Sequence, residues 1–291
     1  VAVRGLGQAV TGLRLEPGPH ARRRRVGRTG HKQRAVLGLD EPLAVQYLRY
    51  LLNLFQGDLG YSYLSRQPVS RLILEQFAPT LVLSGSALIV AIVTGFTLGT
   101  VGILWQARWP GRIANAISVL ALSTPIYWTG TISIYVFSSL LGWLPATGSG
   151  SVAHLLLPVL VLGFHVAGSI ARITKTSVQT TLNAHFVRTA YAKGLRPAQI
   201  FLTHVIRPSL PPIVSIIALQ TGFLLGGTVI TEMIFARQGI GQLLQHAVLD
   251  QDYPVVMGVV VLAAVTYSLV TTLADLAHGL LDPRIRPVEG A

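Results

Sequence analysis

The chain has 291 residues, of which 51% are hydrophobic and only 12% charged, with a mean hydropathy of +0.56. An ordinary soluble domain carries about twice that charge, so lipid is the expected solvent. The absence of cysteine excludes a disulfide framework and any thiolate metal site, and the net charge of +12 would suit a nucleic-acid binder only if it were spread over a folded surface.

It is not so spread. Residues 1–37 hold Arg4, Arg14, the run Arg22 to Arg25, Arg28, Lys32 and Arg34 against Glu16 alone, and so carry most of the excess. No aromatic or base-reading pattern accompanies the run, which sets nucleic acid aside in favour of a basic segment beside an anionic membrane.

The stretch Thr80 to Leu104 contains no Asp, Glu, Lys or Arg. Its helical length of about 37 Å crosses the ~30 Å of hydrocarbon with some tilt, and it is span one. Ile113 to Ala171 is again free of formal charge but too long for one crossing, and Gly148, Ser149, Gly150 and Ser151 interrupt it. It divides into span two, Ile113 to Leu141, with Pro125 expected to kink it, and span three, Val152 to Ala171. Span four is Pro208 to about Thr231 and span five Tyr253 to about Ala274. A chain this small cannot enclose five such lengths as a soluble core. The expected fold is an all-α polytopic membrane bundle: an external segment over 38–79, a transmembrane domain over 80–282 and an inner tail over 283–291.

Positive charge orients the spans. Arg108 and Arg112 follow span one, and Arg172, Lys175, Arg188, Lys193, Arg196 and Arg207 follow span three, so both links face the cytoplasm. The link Gly142 to Ser151 has no charge and that around Arg237, Asp250 and Asp252 is slightly acidic, so both lie outside. Five spans would leave the Arg22 run outside as well, against the rule. An even number of spans removes the conflict, so a first helix is read as missing, with residues 1–37 a disordered, substitute or misread segment.

The inner link over 176–207 is the most informative stretch. Thr176 to Lys193 reads as one helix with Val178, Leu182, Phe186 and Val187 on one side, stopped at Gly194 because glycine accepts positive φ just past a helix end. Arg196 and Pro197 then open a second short helix, where a missing N–H is no loss. The expected product is a basic elbow projecting from the membrane.

Arg188-Thr189-Ala190-Tyr191-Ala192-Lys193-Gly194-Leu195 resembles the coupling loop of bacterial binding-protein-dependent ABC importer permeases, in the form of the peptide, opine and nickel branch. Leu37 to Leu43 with Gln46-Tyr47, Gly57-Asp58-Leu59-Gly60-Tyr61-Ser62, Gly142-Trp143-Leu144-Pro145, Gly226-Gly227 with Glu232 and Phe235, Asp252-Tyr253-Pro254 and Leu281 to Arg286 fit the same branch in order. One departure is Gln238-Gly239, where the branch usually has Pro-Gly; the missing first helix is the other. The resemblance implies a multi-pass protein of the bacterial cytoplasmic membrane. It implies that Arg188, Thr189, Ala190, Ala192, Lys193, Gly194 and Leu195 couple to an ATPase. It also implies a second homologous permease, two ABC ATPase subunits that use the ATP, and an extracytoplasmic solute-binding protein. No cofactor is expected on this chain, and the cargo is peptide, nickel or a metal chelate.

Single residues carry weaker expectations. Glu232, near the outer end of span four, is a candidate for the pathway or for gating, although its nearness to the interface favours a structural hydrogen bond. Asp275, near the inner end of span five, is a gating candidate set against a basic partner or a loop cap. His154 and His165 share a face of span three but lie ~16 Å apart along the axis, too far to hold one metal ion. Each is weighed as a cation contact against a satisfied bundle histidine. His185 and His204 are assigned to the elbow's solvated surface. The chain has no Gly-x-x-x-x-Gly-Lys-Ser/Thr phosphate loop and no convincing nucleophile and base set, so a membrane enzyme or a non-ABC transporter subunit is the alternative class.

Overall fold

The computed structural model describes residues 42–281. The basic segment 1–37, the tail 283–291 and the side chain of Asp275 lie outside the described residues. The chain divides into two compact units, Val1–Asp58 and Leu59–Ala291. The first contributes α1 (Leu43–Phe55), which begins after Pro42 and gives way to a turn where Gly57 takes φ +79°.

The second unit is the membrane bundle. Its elements are α2 (Val69–Leu104), α3 (Trp109–Ser123), α4 (Ile126–Ser133), α5 (Val152–Leu182), α6 (His185–Ala192), α7 (Pro197–Gln199), α8 (Arg207–Ile234), α9 (Ile240–Leu249) and α10 (Tyr253–Leu281). Wider π-helical turns extend α4 through Ile134–Leu140 and join α7 to α8 through Ile200–Ile206. Among the described residues there is no strand, only an isolated bridge between Tyr61 and Pro68. Among the described residues four helical stretches are long and apolar enough to cross a membrane, and α3 with α4 and its extension passes the same test as a pair bent by 110°.

Span two is bent at Pro125 as expected, and the bend is a full break between two helices. Proline has no N–H for the preceding turn and disfavours helical geometry in the residue before it. Thr124 is accordingly extended, and α4 restarts after Pro125 in a new direction. At the inner end Asn115 donates to the Gly102 carbonyl (3.2 Å) and accepts from Lys175 (2.9 Å). At the outer end the Gly148 N–H donates to the Phe235 carbonyl (3.0 Å).

Apolar side chains gain nothing by leaving lipid for one another, so close approach of backbones holds membrane helices together. The pairing of α2 with α5 shows how. Ala87, Ala91, Gly95 and Gly99 recur every four residues on α2 and are buried, facing Gly163, Ala167 and Ala171 on α5. A Cβ on Gly99 would lie 2.6 Å from the Ala171 carbonyl oxygen, and one on Gly95 would lie 2.8 Å from that of Ala167. Gly99→Val should push these backbones apart and cost about 1–3 kcal/mol, read as a lower melting temperature of the solubilised protein. Around this seam Leu83, Leu162, Val166, Ile170 and Leu224 complete the main core.

Candidate functional site

The elbow is built from the ends of α5 and α8. The expected single helix from Thr176 to Lys193 is in fact two, because α5 ends at Leu182 and Ala184 is extended (φ −69°, ψ 146°) before α6 begins. The break resets the helical phase, so Phe186 is 48% exposed while Val187 is buried. Val187 and Ala190 of α6 pack with Ile103, Val178, Ile200 and Val205, which roots the elbow on α2, α5 and the start of the next span.

Gly194 closes α6 as expected, at φ +75°. The Gly194 N–H donates to the Tyr191 carbonyl (3.0 Å) and the Leu195 N–H to the Ala190 carbonyl (3.4 Å), the paired bonds of a Schellman turn. Leu195 then folds against the elbow core. Of the residues expected to couple, Arg188, Thr189, Ala192, Lys193 and Gly194 are exposed, whereas Ala190 is buried and Leu195 half-buried. With Tyr191 and Arg196 the exposed set forms a basic surface carrying one aromatic ring.

The second arm differs from the expected short, separate helix. From Pro197 the chain continues through the π-helical turns into α8, so elbow and membrane span form one helical run. Pro208, Pro211 and Pro212 cannot donate to the preceding turn, and the wider pattern stands just before them. Across the same level the Ser177 hydroxyl donates to the Ser209 carbonyl (2.9 Å), and the Ser209 hydroxyl lies 2.9 Å from Thr181 Oγ1. This polar clamp ties α5 to α8 where the elbow leaves them. His185 is exposed on the elbow, but His204 is half-buried among the π-helical turns, unlike the solvated position expected.

At the outer end Glu232 is fully buried. Thr80 donates its hydroxyl to Glu232 Oε1 (2.6 Å), and the N–H groups of Gly241 (2.8 Å) and Gln242 (3.3 Å) donate to Oε2. Thr80 Oγ1 in turn accepts from the Ile240 N–H (2.9 Å). The carboxylate thus satisfies the orphan donors of the first turn of α9, where negative charge also suits the helix dipole. Gly239 is required by space, because a Cβ there would strike the Glu232 carboxyl group. Arg237 is 8% exposed, and its N–H donates to the Glu232 carbonyl (2.8 Å). Burial pulls its guanidinium below the ordinary value and the Glu232 charge opposes that shift, leaving it protonated.

A second outer contact was not singled out as a site by sequence reasoning. Asp252 is buried before α10 and accepts from the Ser62 hydroxyl and from the Tyr63 N–H (3.1 Å), fastening the loop that precedes α2. The signal lay in the two separate fragments Gly57 to Ser62 and Asp252 to Pro254, whose contact no spacing reveals. Asp252→Ala should release this loop at a cost of about 1–3 kcal/mol, seen as faster proteolytic cleavage between residues 59 and 68.

Of the histidines, His154 caps locally on Ser151 (2.7 Å), and His165 meets Thr129 of α4 (2.7 Å). Among the described residues no three His, Cys, Asp or Glu side chains cluster as a metal site would require.

A bundle of crossing helices with a basic elbow continuous with one of them has the build of a membrane transport permease. Over residues 72–287 the chain matches the family described as binding-protein-dependent transport system inner membrane component, and it belongs to that family. The glutathione transport system permease protein GsiC of Salmonella paratyphi A is 39% identical over 253 residues, covering 87% of this chain and 83% of the relative. The protein of the same description from Escherichia coli K12 shows the same identity and coverage. Among solved structures, the MetNI methionine ABC transporter in an inward-facing conformation superposes with a TM-score of 0.62 at 18% identity, covering 72% of this chain and 96% of that one. An amino acid ABC transporter with histidines gives 0.59 at 15% identity, with coverages of 72% and 94%. The chain is thus an ABC importer permease subunit of the inner membrane, of a family that works with ATPase subunits and a solute-binding protein.

Proposed function

We propose that this permease carries peptide-like solutes inward by alternating access, pairing with a second homologous permease above two ATPase subunits and below a solute-binding protein. The supporting observation for the cargo is the 39% identity to permeases described as transporting glutathione, a tripeptide thiol. In this reading Arg188, Thr189, Ala192, Lys193 and Gly194 meet the ATPase, while Ala190 and Leu195 hold the elbow's shape from within. ATP is bound by the partners and no cofactor by this chain.

Closure of the ATPase pair carries the elbow with it. Because α7 runs without a break into α8, and α5 is clamped to α8 through Ser177 and Ser209, the displacement reaches two spans at once. Such a lever shifts the equilibrium only if its partner binds it differently in the two states. Glu232, enclosed by α9, acts in this scheme as a fixed point of the outer end, and gating is assigned to the inward rocking of α5 and α8.

The test is uptake by the complete complex in liposomes. A thiol-free tripeptide should be accumulated with ATP and the binding protein, and a nickel chelate should not compete. Transport of nickel without peptide would overturn the cargo assignment. The permease purified alone should hydrolyse neither ATP nor peptide.

A further inference from the structure

The broken span leaves a cavity of about 460 Å³ with a mostly apolar lining that includes Ile126, Leu162 and Phe223, into which His165, Ser169 and Gln220 bring the polar groups. His165 and Gln220 each stand thirteen residues from one end of α5 and α8. That is about 20 Å along either axis, near the middle of the bilayer. Pro125 removes the donor that the Ala121 carbonyl would meet in an unbroken helix, and that carbonyl faces the His165 ring. Thr129, on the first turn after the break, holds the same ring at 2.7 Å.

Two polar side chains of this cavity, the Ser169 hydroxyl and the Gln220 amide, have no hydrogen-bond partner among the described residues. In hydrocarbon such groups are costly, so polar residues at this depth face water, another protein or cargo. Elsewhere on the bundle Ile89 and Val93 on α2 and Val260, Val265 and Leu269 on α10 are exposed and apolar, and the exposed hydroxyls between them, such as that of Thr94, bond their own helix backbone. The cavity has the size of a small-ligand site, about 300–1,000 Å³. It offers donors and acceptors without a formal charge, which matches amide groups and gives a bare divalent cation no counter-charge.

We infer that this cavity is a cargo-contact site on the transport path, where Gln220 and Ser169 hydrogen-bond the backbone amides of a peptide and the Thr129-held His165 positions the wall. The assignment of peptide as the ligand rests on the cargo reading above; the placement on the path does not.

The chain contains no cysteine, so Ser169→Cys and Gln220→Cys can be labelled singly in the complete complex in liposomes, with a membrane-impermeant thiol reagent and Val93→Cys as the lipid-face control. Both should react from water in one of two states, nucleotide-free or vanadate-trapped, about tenfold faster than in the other, as alternating access requires. The Val93→Cys control should stay inert. Labelling as slow as the control's, or equal in both states, overturns the site, even if a tripeptide is transported. Gln220→Leu should lower tripeptide uptake per ATP hydrolysed about five- to tenfold, the effect of a lost hydrogen bond, with Gln220→Asn intermediate. Equal loss of uptake and ATP hydrolysis would instead assign Gln220 to packing and overturn its contact role. State-dependent labelling with no tripeptide moved leaves the path assignment standing and overturns the peptide ligand.

Discussion

Glu232→Leu should destabilise the protein by about 2–5 kcal/mol, the cost of leaving the backbone donors of a buried helix cap without an acceptor. Three N–H groups depend on the Glu232 and Thr80 pair: Gly241 and Gln242 directly, and Ile240 through Thr80. Leucine fills much of the volume but accepts nothing. The Ile240 and Gly241 N–H groups cannot turn to water, because both residues are buried. Arg237 would also lose its opposing charge. Glu232→Gln keeps one acceptor and should cost less, about 1–2 kcal/mol. Thermal unfolding of the solubilised protein separates the two variants. If Glu232→Leu melts with the wild type while uptake falls, the carboxylate serves transport directly and its role as the cap of α9 is wrong. Gly239→Ala should resemble the leucine variant, since its new methyl would enter the space of the same carboxyl group.

These contacts show where reading the sequence stops. Thr80 and Glu232 are 152 positions apart, and Ser62 and Asp252 are 190 apart. Hydropathy and charge carry no information on such pairings, although Gly239 and Gly241 so soon after a lone acid hint at close approach. The spans were legible because a charge-free stretch longer than the bilayer has few alternatives. Their limits were less so: α2 begins at Val69, eleven residues before Thr80, because a helix need not end where the hydrocarbon does. Arg71 and Glu75 form an i,i+4 ion pair (2.9 Å) that suits an exposed first turn. The elbow's glycine was legible from local chemistry alone. The break at Asn183 and Ala184 was not, since neither residue forbids a helix, and the packing of Val187 and Ala190 on Ile103 and Val205 decides it. Pro125 announced a bend, but the 110° turn also needs an anchor for the displaced α4, which the Thr129 to His165 contact supplies.

Replacing Gly194 by Trp should abolish uptake while the permease remains inserted and expressed. A Cβ on Gly194 would meet nothing within 4 Å, so crowding inside the chain is not the cause. The cause is the backbone: at φ +75° an L-residue with a side chain loses about 1–2 kcal/mol relative to glycine. Relief comes only by opening the Schellman turn, which swings α6 relative to the run that continues into α8. The new ring would also stand on the surface shared by Arg188, Tyr191 and Lys193. The two effects are separable. Gly194→Asn tolerates the left-handed conformation and should keep most uptake, whereas Gly194→Val, small but β-branched, should lose nearly as much as the tryptophan variant. If Val is harmless and Trp is not, bulk at the docking face governs coupling. If both transport normally at normal expression, the elbow is not the element through which ATP drives these helices.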